Sequence, residues 1–434
     1  MPARVPRIVI LGGGFGGLYC AIELEKRLAR KGLAEVTLVN RENFFLFTPM
    51  LHEVAASDLD VTHIVNPLRK LLRHVRFWAG EIEAIDTVRR VVRVAHGGEH
   101  HDHELPYDHL VVALGSVTNY YGIAGVETRA LAMKSLGDAI TLRNRLIAHL
   151  EQADAETSAR ARHKLLTLVV AGGGFAGVET VAGVNDFLHH AIRWYPNLKP
   201  DELRLVLVHA GDVILPELGP ELGAYAQQKL AARGVEIVTG ARVTSYDDNL
   251  VRLSDGSTIA ADTLVWTAGT APNPLLAGLP GCDPRGRLVA DANLAVDADA
   301  GLWALGDAAS VIDPATGRPY PPTAQHALRQ GKALAKNLEA SLLGAPLHPF
   351  RFRSPGALAA IGRRTGVARI FGINFSGFLA WWMWRTIYLA KLPRFEKKVR
   401  VMLDWTLDLV FAKDLVQFMT FRSEGVSHAE EARP

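Results

Sequence analysis

The sequence is poor in cysteine, which limits the redox chemistry that its side chains can carry. Only Cys20 and Cys282 occur among 434 residues, and they lie far apart. They form no C-x-x-C pair, so we expect neither a zinc site nor a dithiol redox centre of the usual spacing. We interpret Cys20, on a helix predicted near the N-terminus, as a small core residue. Such sparse use of cysteine fits a reduced cytosolic setting.

Charge is also scarce. Charged residues make up 21% of the chain and the net charge is +3, which is too small to indicate a nucleic-acid partner. Hydrophobic residues make up 49%, a composition typical of a packed globular protein. Because 434 residues exceed a single core, we expect two or three domains.

Metal-ligating residues are concentrated in one short stretch, His96–His103, which holds four histidines. Adjacent ligands in a loop rarely give a fixed coordination geometry or supporting outer contacts. We interpret the stretch as a polar hairpin turn between a strand ending near Val94 and another beginning at Leu110. The sequence therefore predicts no metal site.

Two copies of one phosphate-binding pattern lie 160 residues apart. Each has a buried apolar strand (7–11 and 165–171), then G-x-G-x-x-G, then a helix. The glycines allow a tight turn and close approach of backbone to a pyrophosphate, which the N–H groups at the helix start can hold. One such pattern is weak evidence, but two in the same context predict two bound dinucleotides. The candidate residues are Gly12, Gly14, Phe15, Gly16 and Gly17 in the first copy, and Gly172, Gly174, Phe175 and Gly177 in the second.

Strands alternate with helices after both turns, which predicts parallel sheets covered on both faces, an α/β fold with two Rossmann-like domains. The apolar segment 301–309 ends in Gly306-Asp307, and we expect the chain to return there to its first domain. The predicted division is 1–125 and 291–345 for a discontinuous first domain, 126–290 for the second, and 346–434 for an aromatic-rich C-terminal region.

Further segments extend the pattern: Asp108–Asn119, Leu305–Asp307, Pro322–Gly331 and the aromatic tail from Phe375. Together they resemble the glutathione-reductase-like flavoproteins with two dinucleotide-binding domains. Within these, the chain resembles the type II NADH dehydrogenases, which are single-subunit, non-proton-pumping NADH:quinone oxidoreductases of the respiratory chain. The lack of paired cysteines separates it from the disulfide reductases and sulfide:quinone oxidoreductases of the same fold.

The resemblance implies that the first turn binds FAD and the second binds NADH. It places Gly306-Asp307 at the ribityl-phosphate region of the flavin and Ala324–Ala327 under the isoalloxazine, at the quinone pocket. Glu179 matches an acid near the junction of nicotinamide, flavin and quinone, with a role in quinone binding or proton delivery. The predicted catalytic residues are Glu179, Gln325 and Gln330, and the further cofactor-binding residues are Asn40, Arg41, Gly115, Gly306, Asp307, Gln325, Glu179, His209 and Gly269.

Three positions depart from the family pattern. Asn40 stands where an acid usually meets a ribose hydroxyl, although an amide can also hydrogen-bond there. His209 replaces the acid that repels the 2′-phosphate of NADPH, so the use of NADPH beside NADH stays open. Arg329 stands where a glutamine is common, which leaves open a rearranged acceptor pocket or an acceptor other than a typical quinone.

The C-terminal region carries the signals of a membrane surface. The stretch Ile370–Trp384 is uncharged but too short for a confident membrane-spanning helix, and six basic residues follow within Arg385–Arg400. Aromatic and basic residues together predict a peripheral attachment at the cytoplasmic face of the cell membrane. Val399–Phe418 has helical apolar spacing, and its packing on the protein's own core or across a homodimer stays open.

The sequence thus predicts an FAD-dependent enzyme that passes a hydride from NAD(P)H to flavin and two electrons to a membrane quinone. One alternative is a soluble flavin reductase of another small acceptor or carrier protein. Another is a flavoprotein whose nucleotides regulate binding, because binding motifs alone do not separate turnover from regulation.

Overall fold

The computed structural model describes residues 4–97 and 101–418, in which strands and helices alternate as predicted. The helices in this part of the chain are α1 Phe15–Arg27, α2 Leu51–Ala55, α3 Leu68–Leu71, α4 Val126–Arg129, α5 Leu136–Ala155, α6 Ala159–Leu165, α7 Phe175–Ala191, α8 Pro220–Ala231, α9 Ala324–Leu342, α10 Gly377–Lys391 and α11 Phe395–Leu407.

The first glycine-rich turn belongs to a six-stranded sheet. Its strands follow the order Ala295–Asp297, Leu302–Ala304, His109–Val112, Arg7–Leu11, Glu35–Asn40 and Arg76–Ala79. All neighbours pair in parallel except the first two. Leu302 pairs with Leu110, so the chain does return to this sheet after the second unit.

The second glycine-rich turn belongs to a five-stranded parallel sheet. Its order is Leu131–Ala132, Thr263–Trp266, Thr167–Ala171, Arg204–His209 and Val235–Thr239. Every residue of Thr167–Ala171 is buried, as a central strand covered on both faces requires. The predicted fold of two Rossmann-like domains is therefore confirmed.

Three-stranded and two-stranded sheets complete the domains. The three-stranded ones, all antiparallel, are Glu81–Asp86 with Val91–His96 and His101–Pro106, Val243–Asp247 with Leu250–Leu253 and Thr258–Ala260, and Gly356–Ala360 with Gly366–Ile370 and Ile373–Ser376. The two-stranded ones are Phe44–Leu46 with Val65–Pro67, Ser116–Thr118 with Thr270–Pro272, and Leu288–Ala290 with Ala309–Val311. The pair at Ser116–Thr118 joins the ends of the two nucleotide-binding units.

The histidine-rich stretch differs from the prediction. His96 ends one strand and His101–Pro106 forms the next, so most of the described stretch is β-hairpin rather than turn. Gly98, Glu99 and His100 lie outside the described residues. Within 4–97 and 101–418, no group of three or more His, Cys, Asp or Glu side chains is arranged to hold a metal ion.

The C-terminal region differs from the prediction in its elements. The uncharged stretch Ile370–Trp384 is divided between sheet and α10, and the predicted helix over Val399–Phe418 is too long because α11 ends at Leu407. The chain beyond it runs along α5, where Asn144 exchanges hydrogen bonds of 2.6 and 2.9 Å with the backbone of Phe418. No helix in the described part of the chain has the length and apolarity needed to cross a membrane.

Candidate active site

The two glycine-rich turns have the same local geometry. Gly12 and Gly172, the first glycines, have φ angles of +100° and +114°, which favour glycine over residues with a side chain. A Cβ on Gly12 would lie 2.4 Å from the backbone oxygen of Ala113, and one on Gly172 would lie 2.6 Å from Oγ1 of Thr267. Each turn is therefore pressed against a neighbouring strand end, where only glycine fits.

The start of the helix after each turn is open. A Cβ placed on Gly14 or on Gly174 would meet no atom within 4 Å. These glycines are the N-caps of α1 and α7, and no side chain caps either helix. Free N–H groups facing open space suit the pyrophosphate of a dinucleotide.

The side chain at the end of the second strand braces each turn. Oδ1 of Asn40 accepts a hydrogen bond from the backbone N–H of Gly13 at 2.7 Å, and Nδ1 of His209 accepts one from Gly173 at 3.1 Å. The two pairs occupy equivalent positions in the two domains. Because Nδ1 of His209 is an acceptor, the neutral ring carries its hydrogen on Nε2. Sequence reasoning assigned both residues to the ribose and did not foresee the brace.

Asp307 lies in a hydrogen-bonded network at the meeting of the two domains. Its Oδ2 accepts from Oγ of Ser116 at 2.7 Å, and Nζ of Lys134 donates to the same hydroxyl at 2.8 Å. Burial lowers the pKa of Lys134, while the charge of Asp307 raises it. The N–H of Gly306 donates to Oε1 of Gln330 at 2.8 Å. The buried Gln330 thus holds the backbone of the Gly-Asp turn.

Three other predicted residues of the first domain occupy different surroundings. A Cβ on Gly16 would lie 2.0 Å from Cδ1 of Leu305, so α1 packs directly on the segment that leads into Gly306-Asp307. The ring of Phe15 packs edge-on against Phe45 with centroids 4.9 Å apart. Arg41 is exposed at the domain edge.

Gly115 and Gly269 lie where the two domains join. Gly115 has a φ of +68°, and a Cβ placed on it would meet no atom within 4 Å. Its neighbour Ser116 begins the strand that pairs with 270–272. The backbone oxygen of Gly269 accepts from the N–H of Asn119 at 3.1 Å, and a Cβ there would lie 2.3 Å from the hydroxyl of Tyr121. Phe175, half-buried, is the first residue of α7.

Glu179 is a buried acid on the second turn of α7, where it is 8% exposed. Its Oε1 accepts hydrogen bonds from the N–H of Ala360 at 3.1 Å and from the indole of Trp384 at 2.9 Å. Its Oε2 lies 3.8 Å from Nδ1 of His52. Burial raises the pKa of Glu179 to about 8, although the two hydrogen bonds to Oε1 lower it. The carboxyl therefore holds a proton near neutral pH.

Gln325 is the second residue of α9, and Thr323 is the N-cap of that helix. Its Nε2 donates to the backbone oxygen of Gly356 at 3.2 Å, and its buried Oε1 has no hydrogen-bond partner among the described residues. Gly356 and Ala360 are the first and last residues of one strand. Gln325 and Glu179 therefore bond to its two ends, about 13 Å apart along the strand. One C-terminal strand therefore links both predicted acceptor-side residues without bringing them into contact.

Residues of the C-terminal helices complete the site, and sequence reasoning missed them. Trp384 is 1% exposed, its ring packs on His52 at a centroid distance of 5.5 Å, and it meets Tyr388 at 4.8 Å. Tyr388 in turn lies 6.2 Å from Phe47 in the first domain. The only signal in the sequence was the aromatic richness of this region.

Several large apolar side chains are exposed on α10 and α11. The exposed large apolar residues of the two helices are Phe378, Leu379, Trp382, Phe395, Met402, Leu403 and Leu407. The basic residues behave differently, since Arg385 stacks between Trp381 and Trp405 at 4.2 and 4.5 Å and Nζ of Lys397 donates to the backbone of Thr62 at 2.6 Å. Part of the predicted cationic cluster is thus turned inward.

Comparison with known proteins places this geometry in a family. Residues 6–331 match the pyridine nucleotide-disulphide oxidoreductase family, and residues 355–414 match the NDH2 C-terminal domain. The chain is 33% identical to a type II NADH:quinone oxidoreductase of Mycobacterium tuberculosis, covering 94% of this chain and 88% of the relative. It is 34% identical to a demethylphylloquinone reductase of Synechocystis, covering 92% and 95%.

A solved structure shares the whole fold. The NDH2 enzyme of Plasmodium falciparum in complex with NADH has a TM-score of 0.87 at 19% identity, covering 95% of this chain and all of the other. The two folds therefore correspond over 95% of this chain. The chain is a pyridine nucleotide-disulphide oxidoreductase in fold, and it belongs to the type II NADH dehydrogenase family. The resemblance found in the sequence is confirmed.

Proposed function

We propose that this protein oxidises NADH through FAD and reduces a quinone by two electrons without pumping protons. FAD held at the first turn would supply an isoalloxazine ring able to take a hydride from a nicotinamide held at the second. The observation that carries the proposal is a buried acid, Glu179, on the helix that begins at the second phosphate-binding turn. It is supported by the relatives named NADH:quinone oxidoreductase and demethylphylloquinone reductase.

The residues present fit both dinucleotides. The first turn, Asn40 and the Gly306-Asp307 network bind FAD, and the second turn with His209 binds the nicotinamide nucleotide. The unpartnered, buried Oε1 of Gln325 is an acceptor that suits the N–H at the edge of an isoalloxazine ring. We also propose that the domains divide after residues 125, 290 and 345.

At the acceptor end, Glu179 holds the proton that a reduced quinone oxygen takes up. Its burial keeps the carboxyl protonated near neutral pH, so it acts as a general acid. Gln325 orients the flavin edge and Gln330 fixes the Gly306 turn. Trp384 and Tyr388 exclude water from Glu179, because they cover it with apolar ring surface.

Stopped-flow measurement of the two half-reactions tests this proposal. We expect NADH to reduce the bound flavin rapidly and a soluble quinone analogue to reoxidise it. Rapid reduction without reoxidation by any quinone analogue would instead favour a soluble reductase of another acceptor. Slow reduction with a long-lived charge-transfer complex and a change in oligomeric state would favour a nucleotide-regulated binding protein.

The outward sides of α10 and α11 are proposed to lie on the membrane surface, at its cytoplasmic face. The exposed apolar residues of both helices support this, because apolar surface that faces water is costly and burial in lipid removes that cost. A homodimer that buries the same side is the competing arrangement, and vesicle binding separates the two.

A further inference from the structure

Glu53 is a second buried carboxylic acid close to the acceptor end. It lies on α2 and is 5% exposed. Its Oε1 accepts a hydrogen bond from the indole N–H of Trp405 at 3.0 Å. Its Oε2 is buried and has no hydrogen-bond partner among the described residues. An ionised carboxylate with one unpaired oxygen is costly at such a place, so the geometry favours the protonated acid.

The helix that carries Glu53 packs closely on the helix that carries Glu179. Gly183 lies one turn after Glu179 on α7, and a Cβ there would lie 3.1 Å from Cβ of Ala56 and 3.7 Å from the backbone oxygen of His52. The absence of a side chain at Gly183 thus lets α2 approach α7. His52, which precedes Glu53, reaches Glu179 with Nδ1 3.8 Å from Oε2.

The two acids share one arrangement. Trp384 of α10 donates its indole N–H to Glu179, and Trp405 of α11 donates its own to Glu53. Each pair is buried, and each joins a C-terminal helix to one of the nucleotide-binding domains. No step assigned above uses Glu53.

We propose that Glu53 is a second proton-holding acid of the acceptor half-reaction, which restores the proton that Glu179 gives to the reduced acceptor. The inference rests on the proposed function. NADH supplies a hydride, which is two electrons and one proton, whereas reduction of a quinone to a quinol takes two electrons and two protons. The second proton comes from water. Glu179 and Glu53 are both buried, at 8% and 5% exposure, so the proton must reach Glu179 through groups inside the protein.

In this series of transfers, every proton that leaves one atom is taken up by another. The O–H bond of Glu179 breaks as one forms on the acceptor oxygen. The O–H bond of Glu53 then breaks as that of Glu179 forms again, with the imidazole of His52 taking the proton on one ring nitrogen and releasing the proton of the other. Water finally returns a proton to Glu53.

The surroundings of Glu53 suit this role. Burial raises its pKa to about 8; Arg385 and the Trp405 hydrogen bond lower it, and Asp58 and Glu179 raise it. Lys413 pairs with Asp58 and balances that charge. Burial lowers the pKa of His52 to about 3, so its ring stays neutral with one N–H and does not retain a second proton.

The test is Glu53→Gln, measured by stopped-flow with a soluble quinone analogue from about pH 6 to about pH 9. Glutamine still accepts the Trp405 hydrogen bond but holds no acidic proton. We expect flavin reduction by NADH to stay within about twofold of the parent protein. We expect reoxidation to be about tenfold slower near pH 7, where Glu53 of the parent protein holds its proton, and to approach the parent rate near pH 9, where the parent acid has lost it. We also expect a larger solvent deuterium isotope effect near pH 7.

The matched control is Glu25→Gln. Glu25 is also buried, at 3% exposure, but its Oε1 accepts from the backbone of Arg73 and His74 in the first domain. We expect its pH profile to match that of the parent. If Glu53→Gln loses FAD or folds poorly, Trp405→Phe keeps the acid and an aromatic ring beside Arg385 but removes the indole donor. With the acid intact, its reoxidation near pH 7 should stay within about twofold of the parent rate.

An unchanged pH profile in a folded Glu53→Gln would overturn the inference, as would equal slowing of both half-reactions. So would a Trp405→Phe variant as slow as Glu53→Gln, because the effect would then belong to helix packing. If the parent protein reduces no quinone analogue, the proposed function itself fails. If Glu179→Gln slows reoxidation and Glu53→Gln does not, only the role of Glu53 is wrong.

Discussion

The indole Nε1 of Trp384 lies 2.9 Å from Oε1 of Glu179 and donates a hydrogen bond to it. The pair joins α10 of the C-terminal region to α7 of the second nucleotide-binding domain. An indole N–H has no other role than donor, so it fixes the orientation of the carboxyl whether or not the acid is ionised. The C-terminal region therefore contributes directly to the proposed acceptor site around Glu179.

Replacing Glu179 by glutamine tests its role as an acid. Burial raises the pKa of Glu179 to about 8, so its proton is present below that pH and lost as the pH rises through it. We expect reoxidation of the parent flavin by a quinone analogue to decline above about pH 8. In Glu179→Gln we expect reoxidation to be about tenfold slower and to lack this decline. Stopped-flow absorbance of the flavin measures both, and equal slowing of flavin reduction would contradict an acceptor-side role.

Replacing His209 by glutamate tests the choice between NADH and NADPH. A carboxylate at this strand end repels a 2′-phosphate, while it can still accept the hydrogen bond from Gly173. We expect His209→Glu to lower kcat/KM for NADPH at least about tenfold relative to that for NADH. Asn40→Asp, at the equivalent place in the first domain, is the control and should leave this ratio unchanged. A ratio unaffected by His209→Glu would show that other residues read the 2′ position.

Replacing Leu403 and Leu407 together by aspartate tests attachment to a membrane surface. Both are about half exposed on α11, at 52% each, and charges there oppose burial in lipid. We expect the double variant to stay in solution when anionic vesicles are sedimented, whereas the parent protein sediments with them. Val88→Asp, at a residue 94% exposed on a distant hairpin, should behave as the parent does. Unchanged sedimentation, or a parent dimer that the double variant abolishes without affecting lipid binding, would contradict the proposal.

Replacing Lys134 by methionine tests the Asp307 network. Without the ammonium group, the charge of Asp307 is no longer balanced at the proposed FAD site. We expect FAD to be released about tenfold more readily, as measured by the recovery of free flavin fluorescence on dilution. Lys31→Met, at an exposed lysine, is the control. Unaltered FAD retention in Lys134→Met would limit this network to joining the two domains.

The glycine-rich turns were predictable because their geometry is local. Gly12 and Gly172 need a positive φ and closely packed surroundings, and a short pattern in the sequence records both needs. The two sheets followed from the same alternation of strands and helices. The family resemblance added Glu179 and Gln325, which no spacing rule would have selected.

The contacts that the C-terminal helices make were not predictable in the same way. Trp384 and Glu179 are 205 residues apart, and Trp405 and Glu53 are 352 apart, so no local pattern connects them. The end of α11 was misplaced for a related reason, since Asn144 of α5 bonds the backbone of Phe418 and draws it away from a helix. Tertiary contacts there outweigh helical spacing.

The missing side chain at Gly183 has a mechanical consequence. A Cβ on Gly183 would lie only 3.1 Å from Cβ of Ala56, at the end of α2. Cβ of Ala56 has no rotamer to change, so an added methyl group would require α2 and α7 to move apart by a few tenths of an ångström. The close packing at Gly183 therefore sets the distance between the imidazole of His52 and the carboxyl of Glu179.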